Sequence, residues 1–117
     1  MKNKILLKIG EYLHYKKSEI ARRTLPEFKN TPKNLSIELP RRIFNADTMQ
    51  LGDDISLGPK CLLTAILEYP PANWVAAVPD IKMKPQKFEP RIVIGNRVSA
   101  TSNLTIAAMK EIIIEDD

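Results

Sequence analysis

The sequence predicts a mainly β chain, built of short strands that turn a corner every six residues and led by one amphipathic helix. Three observations predict it. Met49, Leu51, Ile55, Leu57, Cys61 and Leu63 are separated by 2, 4, 2, 4 and 2 residues, and Ile92, Ile94, Val98, Ala100, Leu104 and Ile106 repeat that series. Neither the helical period of 3.6 nor the strand period of 2 sustains such a spacing. Leu51 to Ala65 also lies over Ile94 to Ala108 with the apolar positions matched and no gap, which makes an internal repeat. Nine prolines against four glycines, gathered mainly at 26–40 and 59–90, keep the middle of the chain from being helical.

Taken in order, Ile5, Ile9, Leu13 and Ile20, with Leu6 and Tyr12 beside them, recur at helical spacing over residues 3–24, and basic residues fill the opposite positions. Pro26 and Pro32 end this helix, so residues 1–32 form a basic helix and linker and residues 33–117 the repeat domain. The apolar stripe of the helix is expected to cap the open N-terminal end of the repeat stack. Residues 33–39 alternate polar and apolar as a half-buried strand does. Residues 68–90 hold Pro70, Pro71, Pro79, Pro85 and Pro90, the single Trp74 and an apolar patch at Val75 to Val78. They read as an excursion, an extended loop or hairpin on one face of the array. Trp74 there touches a sugar, meets a neighbouring subunit or covers the side of the stack.

Composition narrows the function. At 117 residues there is one small domain or part of a larger one. One cysteine, Cys61, makes no internal disulfide, and with one histidine, His14, it falls short of a structural zinc site, so no metal is expected. No apolar run reaches the roughly 20 residues of a membrane span, and Lys2, Lys4 and Lys8 interrupt any signal-peptide core; a cytoplasmic location is expected. Residues 1–33 carry nine Lys/Arg against three Asp/Glu, net +6, while residues 34–117 carry nine against eleven, net −2. The basic helix is a solvated face first. Peripheral contact with an anionic membrane is the alternative, and nucleic acid is not expected because no stacking platform or groove-reading motif accompanies the charge.

Leu51-Gly52-Asp53-Asp54-Ile55-Ser56, Leu57-Gly58-Pro59-Lys60-Cys61-Leu62 and Ile94-Gly95-Asn96-Arg97-Val98-Ser99 share one pattern. It runs aliphatic, then Gly, two free positions, a small or aliphatic residue, and one free position. In this it resembles the hexapeptide-repeat acyltransferases, and Ile94 to Asp117 is most similar to their sugar and polysaccharide O-acetyltransferase branch. The basic leader is similar to that of bacterial glycan acetyltransferases. The resemblance implies a left-handed parallel β-helix of about three to four rungs, each of three hexads or about 18 residues. Aliphatic residues would point into a narrow prism, with Gly, Asn or Asp at corners where positive φ is easiest. It also implies transfer of an acetyl group from acetyl-CoA, a co-substrate rather than a bound cofactor, to a saccharide hydroxyl, in a homotrimer with sites between subunits.

Within that resemblance, Asn103 matches the asparagine that lines the acceptor pocket, where an amide holds a sugar hydroxyl or steadies the tetrahedral oxyanion. The bland alternative is a corner residue chosen for left-handed φ. Ile112 to Asp117 looks like the start of another coil, with Glu115 where Gly is common. The family's catalytic histidine follows that coil, so the chain is expected to be truncated before its base and to carry no catalytic residue. His14, on the leader helix, matches no catalytic motif. Asp53-Asp54 and Glu115-Asp116-Asp117 are expected to be solvated corners rather than acid/base pairs or metal ligands, and Cys61 a core residue. A non-enzymatic repeat scaffold or interaction fragment is the competing function.

Overall fold

The computed structural model describes residues 2–77 and 84–117. Helix α1 covers Lys2–Arg23. Nine short strands then follow in three passes of the chain. The first pass supplies β1 (Ser36–Ile37), β2 (Arg41–Phe44) and β3 (Met49–Leu51). The second supplies β4 (Ser56–Leu57) and β5 (Cys61–Ala65) and, after the excursion, β8 (Arg91–Ile94). The third supplies β9 (Ser99–Ala100), β10 (Thr105–Ala108) and β11 (Glu111–Ile114). Each pass gives one strand to each of three parallel sheets, and β4, β5 and β8 are the middle strands. The excursion pairs β6 (Glu68–Tyr69) antiparallel with β7 (Gln86–Lys87) and carries α2 (Ala72–Ala77) between them.

The expectation of a left-handed parallel β-helix of three to four rungs is corrected by this arrangement. The described residues form eleven short strands in four small sheets, one of them antiparallel, with two α-helices instead of one. The repeat length is the physical reason. Register partners on adjacent passes lie 20 residues apart, as in Ile37 with Leu57 and Ile92 with Ile112, or 43 apart across the excursion, as in Leu63 with Ile106. Three hexads would give 18. The surplus is visible at the corner after β2, where Asn45 adopts φ 62° and a 3-10 turn over Ala46–Thr48 intervenes before β3. The internal repeat laid out from sequence has the same 43-residue offset, and its two copies are hydrogen-bonded neighbours: Ser56 with Ser99, Leu57 with Ala100, Leu62 with Thr105.

The apolar series occupies the interior. Met49, Leu51, Ile55, Leu57, Cys61 and Leu63 are buried, as are Ile92, Ile94 and Ile106, while Val98, Ala100 and Leu104 pack against them half-buried. Burying each large aliphatic side chain contributes about 1.5–3 kcal/mol. This cluster holds the three sheets together.

The corners work differently from the expectation for glycine. No described glycine has positive φ; that conformation falls on Asn34, Asn45, Asp54, Lys60, Arg97, Asn103 and Asp117. Glycine serves close approach instead. A Cβ on Gly52 would stand 2.6 Å from the Gly95 carbonyl carbon, and one on Gly95 would stand 2.7 Å from the Asp116 nitrogen. Lysine has no local side-chain compensation in the left-handed region, which costs L-residues about 1–2 kcal/mol. Lys60→Gly is therefore expected to raise stability by about 0.5–1 kcal/mol, read as a higher urea midpoint at unchanged slope.

The helix does not cap the stack. Ala21 is its one buried residue among those described, and Ile5, Leu6, Ile9, Leu13 and Ile20 stay exposed. Residues after the helix cover that end: Leu25, Phe28 and Leu35 pack against the core, and the Lys29 N–H donates to the Met49 carbonyl at 2.9 Å. Asn30 imitates a strand, its amide oxygen accepting from the Leu51 N–H at 2.9 Å while its Nδ2 donates to the Leu51 carbonyl. The outer edge of β3 is thereby satisfied without another strand. Arg41 ties the helix down, donating to the Ala21 carbonyl at 2.8 Å, the Thr24 hydroxyl at 3.1 Å and the Ile37 carbonyl at 2.5 Å. The radius of gyration, 18.2 Å, exceeds the about 13 Å of a compact chain of this length, consistent with a helix standing off the body.

Candidate functional site

The corner that precedes β2, β5 and β10 stacks Pro40, Lys60 and Asn103. The Lys60 N–H donates to the Pro40 carbonyl at 2.7 Å, and the Asn103 N–H donates to the Pro59 carbonyl at 3.0 Å. Asn103 has φ 57°, so its backbone fills the corner role that asparagine tolerates. Its side chain is exposed, and among the described residues its amide hydrogen-bonds only the neighbouring Ser102 hydroxyl, to which Nδ2 donates at 3.3 Å. Both the corner role and an outward-facing amide therefore coexist at this position.

Beside this column lies an open groove of about 260 Å³, lined by Pro40, Arg41, Arg42, Lys60 and Cys61. Arg41 is committed to the Ala21 and Ile37 carbonyls and the Thr24 hydroxyl, and burial lowers its pKa from the ordinary value against a smaller opposite effect of Cys61. Arg42 and Lys60 are exposed and give the groove its positive charge. Sequence reasoning passed over both, although the repeat alignment sets Lys60 opposite Asn103 and so marked the position.

Cys61 is buried, and that burial pushes its thiol pKa up, outweighing the pull of Arg41 downward. A thiol held protonated is a poor nucleophile, in keeping with a core role. His14 is exposed on α1, where with Lys17, Ser18 and Ala21 it faces Glu38, Leu39 and Pro59 across a small cleft. Both His14 and Asn103 border Pro59, yet no hydrogen bond joins them. The pair is not assembled as base and acceptor-pocket residue.

The acidic corners are structural. Asp53 accepts from the Lys33 N–H at 2.9 Å and Asp54 from the Asn34 amide at 2.9 Å. Twenty residues apart in the same way, Asp116 accepts from the Asn96 N–H at 2.7 Å and Asp117 from Arg97 Nε at 2.6 Å. Each pair links one pass to the next. Among the described residues, no three His, Cys, Asp or Glu side chains gather as metal ligands would. Trp74 packs tilted against Tyr69, ring centroids 6.4 Å apart, and is half exposed within the excursion. Val78 and Pro79, from the expected apolar patch and proline set, lie outside the described residues. No helix among the described residues is long and apolar enough to cross a membrane.

No family model, curated protein or solved structure matches this chain.

Proposed function

We propose that the chain serves acetyl-CoA-dependent O-acetylation of a saccharide hydroxyl, contributing the acceptor-side wall and part of the co-substrate groove. The observation that carries this reading is the exposed Asn103 amide on the same corner column as Lys60, beside the groove that Arg42 and Lys60 make positive. The reaction requires a general base, a role for which no side chain beside Asn103 is placed among the described residues, to take the proton from the sugar hydroxyl, whose oxygen attacks the thioester carbonyl. The C–S bond then breaks, and the departing thiolate takes up a proton. An amide N–H aimed at the carbonyl oxygen stabilises the charge that develops there. Exposed cations nearby favour a co-substrate that carries phosphates. His14 is not the base in this reading, since general base catalysis needs hydrogen-bond reach to the acceptor.

The experiment is acetyl-CoA binding by calorimetry, together with saccharide binding and thiol release across a panel of sugars. Binding of acetyl-CoA that weakens on Arg42→Gln and Lys60→Gln, with at least one sugar bound, supports the reading. Absence of binding to both partners removes it.

One observation favours a second reading, a scaffold without catalysis: φ at Asn103 and its bond to Pro59 fully explain an asparagine there. The same measurements separate the two.

A further inference from the structure

We propose that α1 binds the surface of a bilayer containing anionic lipid, lying in the interface with Ile5, Leu6, Ile9, Leu13 and Ile20 buried among the acyl chains. These five side chains are between 50% and 65% exposed, although they form one stripe along the helix. Isolated exposed aliphatics are ordinary; a stripe left bare by its own fold, interrupted by Lys16 between Leu13 and Ile20, marks a contact surface.

Charge selects the occupant. The helix carries seven Lys/Arg and two Asp/Glu, and among the described residues only Lys16 and Arg23 of these cations pair with a carboxylate, that of Glu19. A second copy of the chain is a poor partner for the stripe. Leu6, Leu13 and Ile20 fall seven apart as one seam position of a coiled coil, but the other seam position holds Lys2, Ile9, Lys16 and Arg23. Two such helices would press like charges together at the seam. An anionic lipid surface satisfies both features, taking the apolar stripe into its hydrocarbon boundary while its headgroups meet the flanking cations.

The placement of the helix allows this. Ala21, the residue buried against the body, follows Ile20 by one position, about 100° around the helix. His14, Lys17 and Ser18 share the side of Ala21 and face the body. The body therefore sits beside the stripe rather than over it. Lysines through the helix prevent it from spanning, so it lies on the surface.

Co-sedimentation of the intact chain with phosphatidylcholine vesicles, with and without about one third phosphatidylglycerol, tests this at about 0.1 M salt. Binding at least tenfold tighter to the anionic vesicles is expected. Lys4→Gln and Lys8→Gln should each weaken it roughly fivefold, and Leu13→Ser by roughly tenfold or more. All three side chains are exposed, so an unchanged far-ultraviolet circular dichroism spectrum confirms that the fold persists. Equal binding to neutral vesicles, no binding to either, or full binding by Leu13→Ser overturns the proposal. So does a duplex oligonucleotide that binds more tightly than the anionic vesicles, or an oligomer in sedimentation equilibrium that Leu13→Ser dissolves. Failure here leaves the acetyl-transfer reading untouched, because Asn103, Arg42 and Lys60 are not on α1.

Discussion

Gly58→Ala is expected to destabilise the chain by about 3 kcal/mol or more, lowering the thermal midpoint by over about 10 °C. A Cβ at this position would collide with the backbone carbonyl of Thr101, on the next pass. Backbone cannot rotate away as a flexible side chain does, and Gly58 is held there by its own N–H, which donates to the Ala100 carbonyl at 2.8 Å. Relief requires separating the second and third passes, which breaks the register of Leu57 with Ala100 and opens the core beside it. Gly10→Ala supplies the contrast. Nothing stands within 4 Å of a Cβ at Gly10, in the middle of α1, so the same substitution there should stabilise by up to about 1 kcal/mol through helix propensity. Urea unfolding of both variants, followed by circular dichroism, gives the opposite signs directly. A Gly58→Ala protein as stable as the parent would mean that the passes are not stacked as described.

The stacking was legible in the sequence because it rests on side-chain volume and polarity. Leu51 over Ile94 and Leu63 over Ile106 match by type, and the fold uses that match as hydrogen-bonded register. The 20-residue pass was not legible, since its extra residues at Asn45–Thr48 interrupt no apolar series and resemble ordinary loop. Handedness and a uniform coil entered only through resemblance, and the four small sheets do not bear them out. The role of glycine differs from the expectation for a related reason. A sequence shows that a position lacks a side chain, and it does not show whether φ or a neighbouring backbone demands that. Lys60 and Arg97 take positive φ against their preference because their places in the stack are fixed by backbone bonds from Lys60 to Pro40 and from Arg97 to Asp53. The spacing of Ile5, Ile9, Leu13 and Ile20 shows a stripe on α1, although Lys2, Lys16 and Arg23 share its face instead of standing opposite. Its exposure was unreadable, because amphipathicity says that a face wants cover without naming what covers it, and Leu25, Phe28 and Asn30 had already taken the end of the stack.

On the proposed acetyl-transfer reading, Asn103→Gly is expected to weaken saccharide binding roughly fivefold while leaving stability unchanged within a few tenths of a kcal/mol. Glycine accepts φ 57° at least as readily as asparagine, and the N–H that donates to the Pro59 carbonyl is retained. The corner role therefore survives, and only the amide is lost. Asn103→Ala reverses the balance by also placing a Cβ-bearing residue without a compensating side chain in the left-handed region, so it should lose about 1 kcal/mol of stability besides. Asn103→Asp keeps the shape and the tolerance for positive φ but replaces the donor by an acceptor, and should bind saccharide as weakly as the glycine variant. Saccharide affinity is the readout because it needs no base: loss of one hydrogen bond of about 1 kcal/mol weakens binding roughly fivefold. Equal sugar affinities in Asn103→Gly and the parent would reduce Asn103 to its corner, and the acceptor wall would then have to be sought elsewhere along the groove of Arg42 and Lys60.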